Sequence, residues 1–491
     1  MDVVSRVFRF FFRGHPDGLP TLFFTEFWER FSYYGMRALL VLFMVDQGDG
    51  LGFDDADATA IYGLYAASVY LMALPGGWVA DRLVGAQQAV WLGGIVITAG
   101  HFVLAIPSVY AFFAGLLLVV MGTGLLKPNV SAVVGELYEE GDPRRDGGFT
   151  IFYMGINLGA IFGPLICGYL AESEAFGWHW GFAAAGVGMV FGLIQYRAMR
   201  PYLGDAGRVP AVTPGRADWG VLWGALGLIL LVTLTVMSGF VEVDPRPLAE
   251  ATAYAISVVA VVYFGYLLIF GGLSPLERNR VLVIIWLFLG AALFWSGFEQ
   301  AGSSFNLFAE RYTDRNLGEF EIPATWFQSL NPVFIVLLAP AFAQLWVWLA
   351  RRHLEPATPT KFGLGLVGMG LGFAVLIGAS VAVVQGQQVG PGWLLTTYLI
   401  HTIAELVLSP VGLSATTKLA PRRYVGQMMG IWFLGASLGS VLAGLIAGEF
   451  NAENVEQMPT LYRNLVALGV GSGAVFLLLT KPIQRLMGGA R

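Results

Sequence analysis

Long apolar runs alternate with short polar connections along the whole chain, and the runs have the length of membrane-crossing helices. A helix rises ~1.5 Å per residue and the hydrocarbon core of a bilayer is ~30 Å thick, so one crossing needs ~20 mostly apolar residues. Runs that qualify lie at 20–47, 57–80, 88–107, 110–135, 149–171, 178–198, 218–240, 250–272, 281–309, 323–350, 362–384, 393–417, 425–449 and 461–484. The pattern predicts an all-α integral membrane protein with about fourteen transmembrane helices.

The connections give the orientation, because Lys and Arg favour the cytoplasmic side. With both termini inside, the inner segments collect about 21 Lys and Arg, from Arg6, Arg9 and Arg13 to Arg485 and Arg491. The outer loops hold four: Arg246, Arg311, Arg315 and Arg463. One missed or false span would scramble this alternation, so the asymmetry also supports the helix count.

Two halves of six helices flank a central pair. Residues 1–200 read as an amino-terminal bundle, 201–278 as a linker and extra hairpin, and 279–491 as a carboxy-terminal bundle. The stretch from Pro201 to Ala217 is rich in Pro and Gly and has the character of a linker. Leu126-Lys127-Pro128 is matched by Leu408-Ser409-Pro410, and Leu158-Gly159-Ala160 by Leu438-Gly439-Ser440. Both matches share an offset of about 280 residues, which favours duplicated halves over chance likeness between Gly-rich helices.

Seven charges fall well inside the spans: Glu26, Glu29, Arg30, Arg37, Lys127, Glu299 and Glu405. A charge near the bilayer centre costs at least ~2.5–3.5 kcal/mol on insertion scales, so each needs a reason. Glu26, Arg30, Tyr33 or Tyr34, and Arg37 recur at helical spacing and share one face, too polar for lipid. A buried structural salt-bridge network is the plainer alternative to a functional cluster. Counting residues puts Arg37 ~17 positions, or ~25 Å, above the inner end of the first helix, and Glu299 at a similar height. Lys127 and Glu405 fall nearer the middle or in the inner half. Arg37 with Glu299, and Lys127 with Glu405, therefore make candidate gate pairs joining the two halves. Asn157 and Asn331 read as buried amides, and Pro332 after Asn331 is placed to break the backbone ladder. Trp295 and Trp432 fit either lipid-facing positions or core packing, Tyr70 is equally open, and His401 fits a packed or interfacial position better than that of a proton carrier.

Composition narrows the function. The chain of 491 residues is 56% hydrophobic and 12% charged, against about 25% charged in a soluble protein. No basic patch with interleaved aromatics points to nucleic acid. Cys167 is the only cysteine, so neither an intrachain disulfide nor a cysteine metal cage is available. No nucleophile–base pair, metal-ligand spacing, phosphate loop or cleavable leader stands out, which argues against an intramembrane enzyme and ATP drive. Separated buried charges suit a carrier of a small charged solute coupled to protons.

Glu26-Phe27-Trp28-Glu29-Arg30-Phe31-Ser32-Tyr33-Tyr34-Gly35 resembles the ExxER motif of the proton-dependent oligopeptide transporter family, within the major facilitator superfamily. Phe152-Tyr153-Met154-Gly155-Ile156-Asn157-Leu158-Gly159 resembles its FYxxINxG signature, and Gly77 to Gly85 with Asp81-Arg82 resembles the superfamily's loop between helices two and three. The likeness runs nearly end to end. It implies a major facilitator fold of two six-helix bundles plus a central hairpin, importing di- and tripeptides with protons by alternating access. It implies that Arg37, Lys127, Tyr33 and Tyr34 receive the peptide carboxylate, and that Asn157, Asn331 and Glu405 receive the amino group. Tyr70, Trp295, Ser409 and Trp432 are implied to line side-chain pockets, and Glu26, Glu29, Arg30 and Glu299 to handle protons and coupling. Protons are then the coupling ion, with no other cofactor and no metal. The expected setting is a monomer in the lipid of a bacterial inner membrane. Nitrate or a drug-like solute is the alternative cargo. Two departures stand out: Gly63 replaces a coupling His found in some relatives, and Gln87 and Gln88 replace a basic pair, which leaves Asp81 without an obvious partner.

Overall fold

The computed structural model describes residues 12–139, 141–450 and 455–488, with backbone alone at 410 and 413. Arg6, Arg9 and Arg491 of the charge count lie outside the described residues. Among the described residues the regular structure is helical apart from one two-stranded antiparallel hairpin, β1 (Asn316–Leu317) with β2 (Phe320–Glu321), and one isolated bridge between Thr313 and Val389. In chain order the helices are α1 (Leu19–Val45), α2 (Asp55–Val79), α3 (Ala86–Leu104), α4 (Val109–Glu136), α5 (Arg145–Glu172) and α6 (Trp178–Met199). The next are α7 (Arg216–Met237), α8 (Pro245–Phe270), α9 (Pro275–Phe298) and the short α10 (Ser304–Tyr312). They are followed by α11 (Leu330–Arg351), α12 (Thr358–Val384), α13 (Gly392–Leu419), α14 (Val425–Ala447), α15 (Met458–Leu478) and the short α16 (Thr480–Leu486).

Among the described residues, 13 helical segments are long and apolar enough to cross a membrane. The 27-residue α1 is a further long helix, set apart by its buried charges. Each predicted run therefore has its helix. Local chemistry sets several boundaries. Ser274 caps α9 by accepting from Glu277 N while Glu277 Oε2 accepts from Ser274 N, and Pro275 supplies the pre-set first turn. At the start of α8, Asp244 accepts from Arg246 N at 3.1 Å and Pro245 supplies the first turn.

Two expectations change. The predicted run 281–309 is interrupted: a 3-10 turn at Glu299–Gly302 separates α9 from α10. Gln300 holds that turn, donating to Ser296 O at 3.2 Å and to Ala443 O at 3.0 Å while accepting from Ser304 Oγ at 2.6 Å. Pro332 does not break a helix, because α11 begins at Leu330. A proline in the first turn lacks an N–H that would have had no intrahelical acceptor.

The chain divides into two compact units, Met1–Leu40 with Leu71–Val243, and Val41–Tyr70 with Asp244–Arg491. In the first unit, α3 packs along α4 and α6, and α5 along α6. In the second, α12 packs along α13 and α15, and α9 along α14. Gly159 of α5 lies against Phe27, Arg30 and Phe31 of α1, as Gly439 of α14 lies against Ala292, Trp295 and Ser296 of α9. The same kind of crossing thus recurs, with α14 offset from α5 by the 280 residues of the sequence repeat and α9 offset from α1 by 265. A β-carbon at Gly159 would meet the Phe27 carbonyl, whereas Gly220 of α7 has open space around it. Gly159→Ala is expected to lower stability by about 1–3 kcal/mol through overpacking, and Gly220→Ala to stay within about 0.5 kcal/mol. Thermal unfolding of both variants in detergent checks this. Equal midpoints would show that α1 and α5 do not need the glycine.

The linker is docked in the first unit. Gln87, buried, donates through Nε2 to Gly204 O at 3.1 Å and Ala206 O at 2.8 Å. Arg200 donates to Gln87 Oε1 at 3.1 Å and to Gln88 Oε1 at 3.3 Å. Glu136 accepts from Gly207 N at 2.6 Å, and Val212 N donates to Asp81 O at 3.2 Å. Arg82 pairs with Asp218, at the start of α7, at 3.4 Å. The two glutamines are therefore neutral acceptors for Arg200. In the second unit, Arg423 donates to the Gly271 carbonyl at the end of α8, and Tyr263 of α8 donates to Gln427 at 2.7 Å.

Candidate functional site

Most of the acids and bases singled out on α1 form one buried cluster. Arg30 Nε lies 3.1 Å from Glu26 Oε1, one helical turn away, and also bonds Glu29 Oε2. Glu26, Glu29 and Arg30 are 2%, 0% and 3% exposed. Sequence spacing put Glu26 and Arg30 on one face, while Glu29 is adjacent to Arg30 and projects about 100° away. The long side chains close that angle. Glu26 Oε2, Glu29 Oε1 and Arg30 Nη2 are buried and have no hydrogen-bond partner among the described residues. The Arg30 guanidinium stands 5.0 Å from the Tyr33 ring centre, and Arg37 stands 5.7 Å from that of Tyr34. Lys127, half-buried on α4, is close enough for its charge to act on Glu26. Asn157 is half-buried rather than buried, and donates to Tyr153 O of its own helix at 2.9 Å. Its carbonyl oxygen is thus turned away from that bond.

The second unit holds two further groups. Glu299, 2% exposed, accepts from the Tyr62 hydroxyl at 3.3 Å. Gly302 lies directly against that hydroxyl, leaving no room for a β-carbon. Asn331, half-buried, donates from Nδ2 to Glu405 Oε2 at 2.9 Å and to Thr402 Oγ1 at 3.1 Å. Trp432 is buried against Phe362 and fills the space left by Gly412. Trp295, Tyr70 and Ser409 are half-buried. His401 is packed, as expected: it stacks on Phe305 and its Nε2 lies 2.9 Å from Met369 O. Gly63 meets Gly444 and the Ser440 carbonyl so closely that a larger side chain would not fit.

Arg37 and Lys127 belong to the first unit, Glu299 and Glu405 to the second. Sequence reasoning missed Tyr62, Thr402 and the Asp55–Arg311 pair, which is bidentate at 2.6 and 2.8 Å. Thr402 left a signal, being a polar residue three positions before Glu405 on the same helical face. Tyr62 and Asp55 left none, because their partners are 237 and 256 residues away. Among the described residues, no group of three or more His, Cys, Asp or Glu is placed to hold a metal ion.

Residues 87–462 match the sequence profile of the POT family. The peptide transporter YePEPT of Yersinia enterocolitica subsp. palearctica is 43% identical, over 97% of this chain and 96% of that protein. A di-/tripeptide transporter of Lactococcus lactis subsp. cremoris is 38% identical, over 98% of each. Among solved structures, a peptide transporter POT in complex with sulfate superposes with a TM-score of 0.90 at 41% identity, over 97% of each chain. Its E310Q mutant in complex with alafosfalin gives a TM-score of 0.89 at 40% identity, again over 97% of each.

Proposed function

The chain belongs to the POT family, and we propose that it is a proton-coupled symporter importing di- and tripeptides by alternating access. It is a multi-pass membrane transporter of the major facilitator fold rather than an enzyme. The observation that carries the reading is the buried Glu26–Glu29–Arg30 cluster, with the charge of Lys127 acting on Glu26, in one unit, and a group of acceptors at Asn331 and Glu405 in the other. A short peptide at neutral pH is a zwitterion. One set of cations suits its carboxylate and one set of acceptors suits its ammonium.

In this reading Arg37, Lys127, Tyr33 and Tyr34 receive the carboxylate, and Asn157, Asn331 and Glu405 receive the amino group. Tyr70, Trp295, Ser409 and Trp432 meet the side chains. Glu26, Glu29, Arg30 and Glu299 carry protons, the only coupling ion, and Arg37–Glu299 and Lys127–Glu405 act as gates. The protein works as a monomer in a bacterial inner membrane with both termini cytoplasmic. Lipid covers helices such as α7, which buries none of its residues.

Uptake of labelled dialanine into proteoliposomes tests this. An inward proton gradient is expected to drive accumulation, and a protonophore to collapse it, with no ATP present. Accumulation that ignores the protonophore and requires ATP would show the reading to be wrong.

A further inference from the structure

Asn331 is a symmetric-looking amide whose two ends have opposite chemistry, and its surroundings fix which end points where. Thr402 is fully buried on α13. Its hydroxyl has one hydrogen, which it donates to Tyr398 O at 2.7 Å. Toward Asn331 it is therefore only an acceptor, 3.1 Å from Nδ2. Glu405 Oε2 accepts from the same nitrogen at 2.9 Å. A primary amide nitrogen has two hydrogens, so both are committed. The flipped amide would set its oxygen against a carboxylate oxygen and a hydroxyl lone pair, both repulsive. The orientation thus follows from the partners and not from the naming of two atoms of similar size. The amide oxygen is the group that remains.

We propose that Thr402 is a positioning residue for the peptide ammonium: by accepting from Asn331 Nδ2 it holds the amide oxygen outward as an acceptor beside the Glu405 carboxylate. This rests on the peptide reading above and adds a residue that acts through Asn331 without touching substrate. An ammonium has donors only. An amide turned the other way would offer it a second set of donors and a repulsive contact. Without the Thr402 hydroxyl, the Glu405 carboxylate alone orders the amide, and one of its hydrogens is left without a buried partner.

Thr402→Val keeps the branched shape and removes the hydroxyl. In proteoliposomes its KM for dialanine is expected to rise about tenfold, the usual size of one hydrogen bond to a charged group. Inhibition of uptake by N-propionyl-alanine, which keeps the peptide bond and carboxylate but lacks the ammonium, is expected to stay within about twofold of the unaltered protein. Retained inhibition also shows that the variant is folded. Thr402→Ser, which restores the hydroxyl, is expected to recover the dialanine KM. Equal losses for both ligands would mean that Thr402 acts by packing, and an unchanged dialanine KM would mean that it does not position Asn331. Either overturns the assignment while leaving the transport reading intact. Failure of the unaltered protein to take up dialanine would overturn the transport reading and this assignment with it.

Discussion

Glu29→Gln is expected to abolish accumulation of dialanine against a pH gradient while leaving exchange of labelled for unlabelled peptide in place. The accumulation ratio should fall to about one, the value for a carrier that equilibrates its solute without drawing on a second ion. The reason is the charge count at one point on α1. Two carboxylates, Glu26 and Glu29, share one nitrogen of Arg30, and all three side chains are buried. A buried ion pair is held only while its partners stay matched. A proton arriving on one acid releases Arg30 toward the other, or toward substrate, so protonation is tied to rearrangement. Glutamine keeps the shape and a hydrogen-bonding oxygen but cannot take up the proton. Glu26 then remains as the ionic partner of Arg30, so the helix keeps its buried charge balanced and exchange survives. Unimpaired accumulation by the variant would remove Glu29 from the coupling step.

That cluster was readable in the sequence because charge inside an apolar run is an anomaly with a cost. Helix number was readable for the complementary reason: a crossing needs about 20 apolar residues whatever surrounds it. The same anomaly keeps α1 out of the set of uniformly apolar spans. Tertiary contacts leave no such trace. The break at Glu299 lies inside a continuous apolar run, and what holds it is a side chain bonded to Ala443, 143 residues away. Gln87 and Gln88 were recognisable as departures from a basic pair, but their partner, Arg200, lies 113 and 112 residues away at the end of the amino-terminal bundle. Gly63 was readable only as the absence of a histidine. Its cause, the close approach of Gly444, is a helix crossing. Asn331 and Glu405 were each chosen for their chemistry. Their direct bond, and the hydroxyl of Thr402 that completes it, came from folding two helices together.

Glu299 carries the second large expected effect. Glu299→Gln should also reduce pH-driven accumulation of dialanine to a ratio of about one with exchange retained, since the carboxyl is buried and its replacement cannot ionise. The neighbouring hydroxyl makes this claim separable from the one about Glu29. Tyr62 donates to Glu299 Oε2 at 3.3 Å, a bond worth about 1–2 kcal/mol to a charged acceptor. Tyr62→Phe should therefore slow driven uptake by about five- to thirtyfold rather than abolish it. Gly302 supplies an independent route to the same contact. A β-carbon there would occupy the place of the Tyr62 hydroxyl, so Gly302→Ala should push the ring aside and reproduce the Tyr62→Phe defect. If the tyrosine acts through the carboxylate, the losses cannot add. Tyr62→Phe combined with Glu299→Gln should transport no worse than Glu299→Gln alone, in exchange as well as in driven uptake. A double variant whose exchange rate falls by the product of the separate losses would show that Tyr62 serves another part of the cycle and that its bond to Glu299 is incidental.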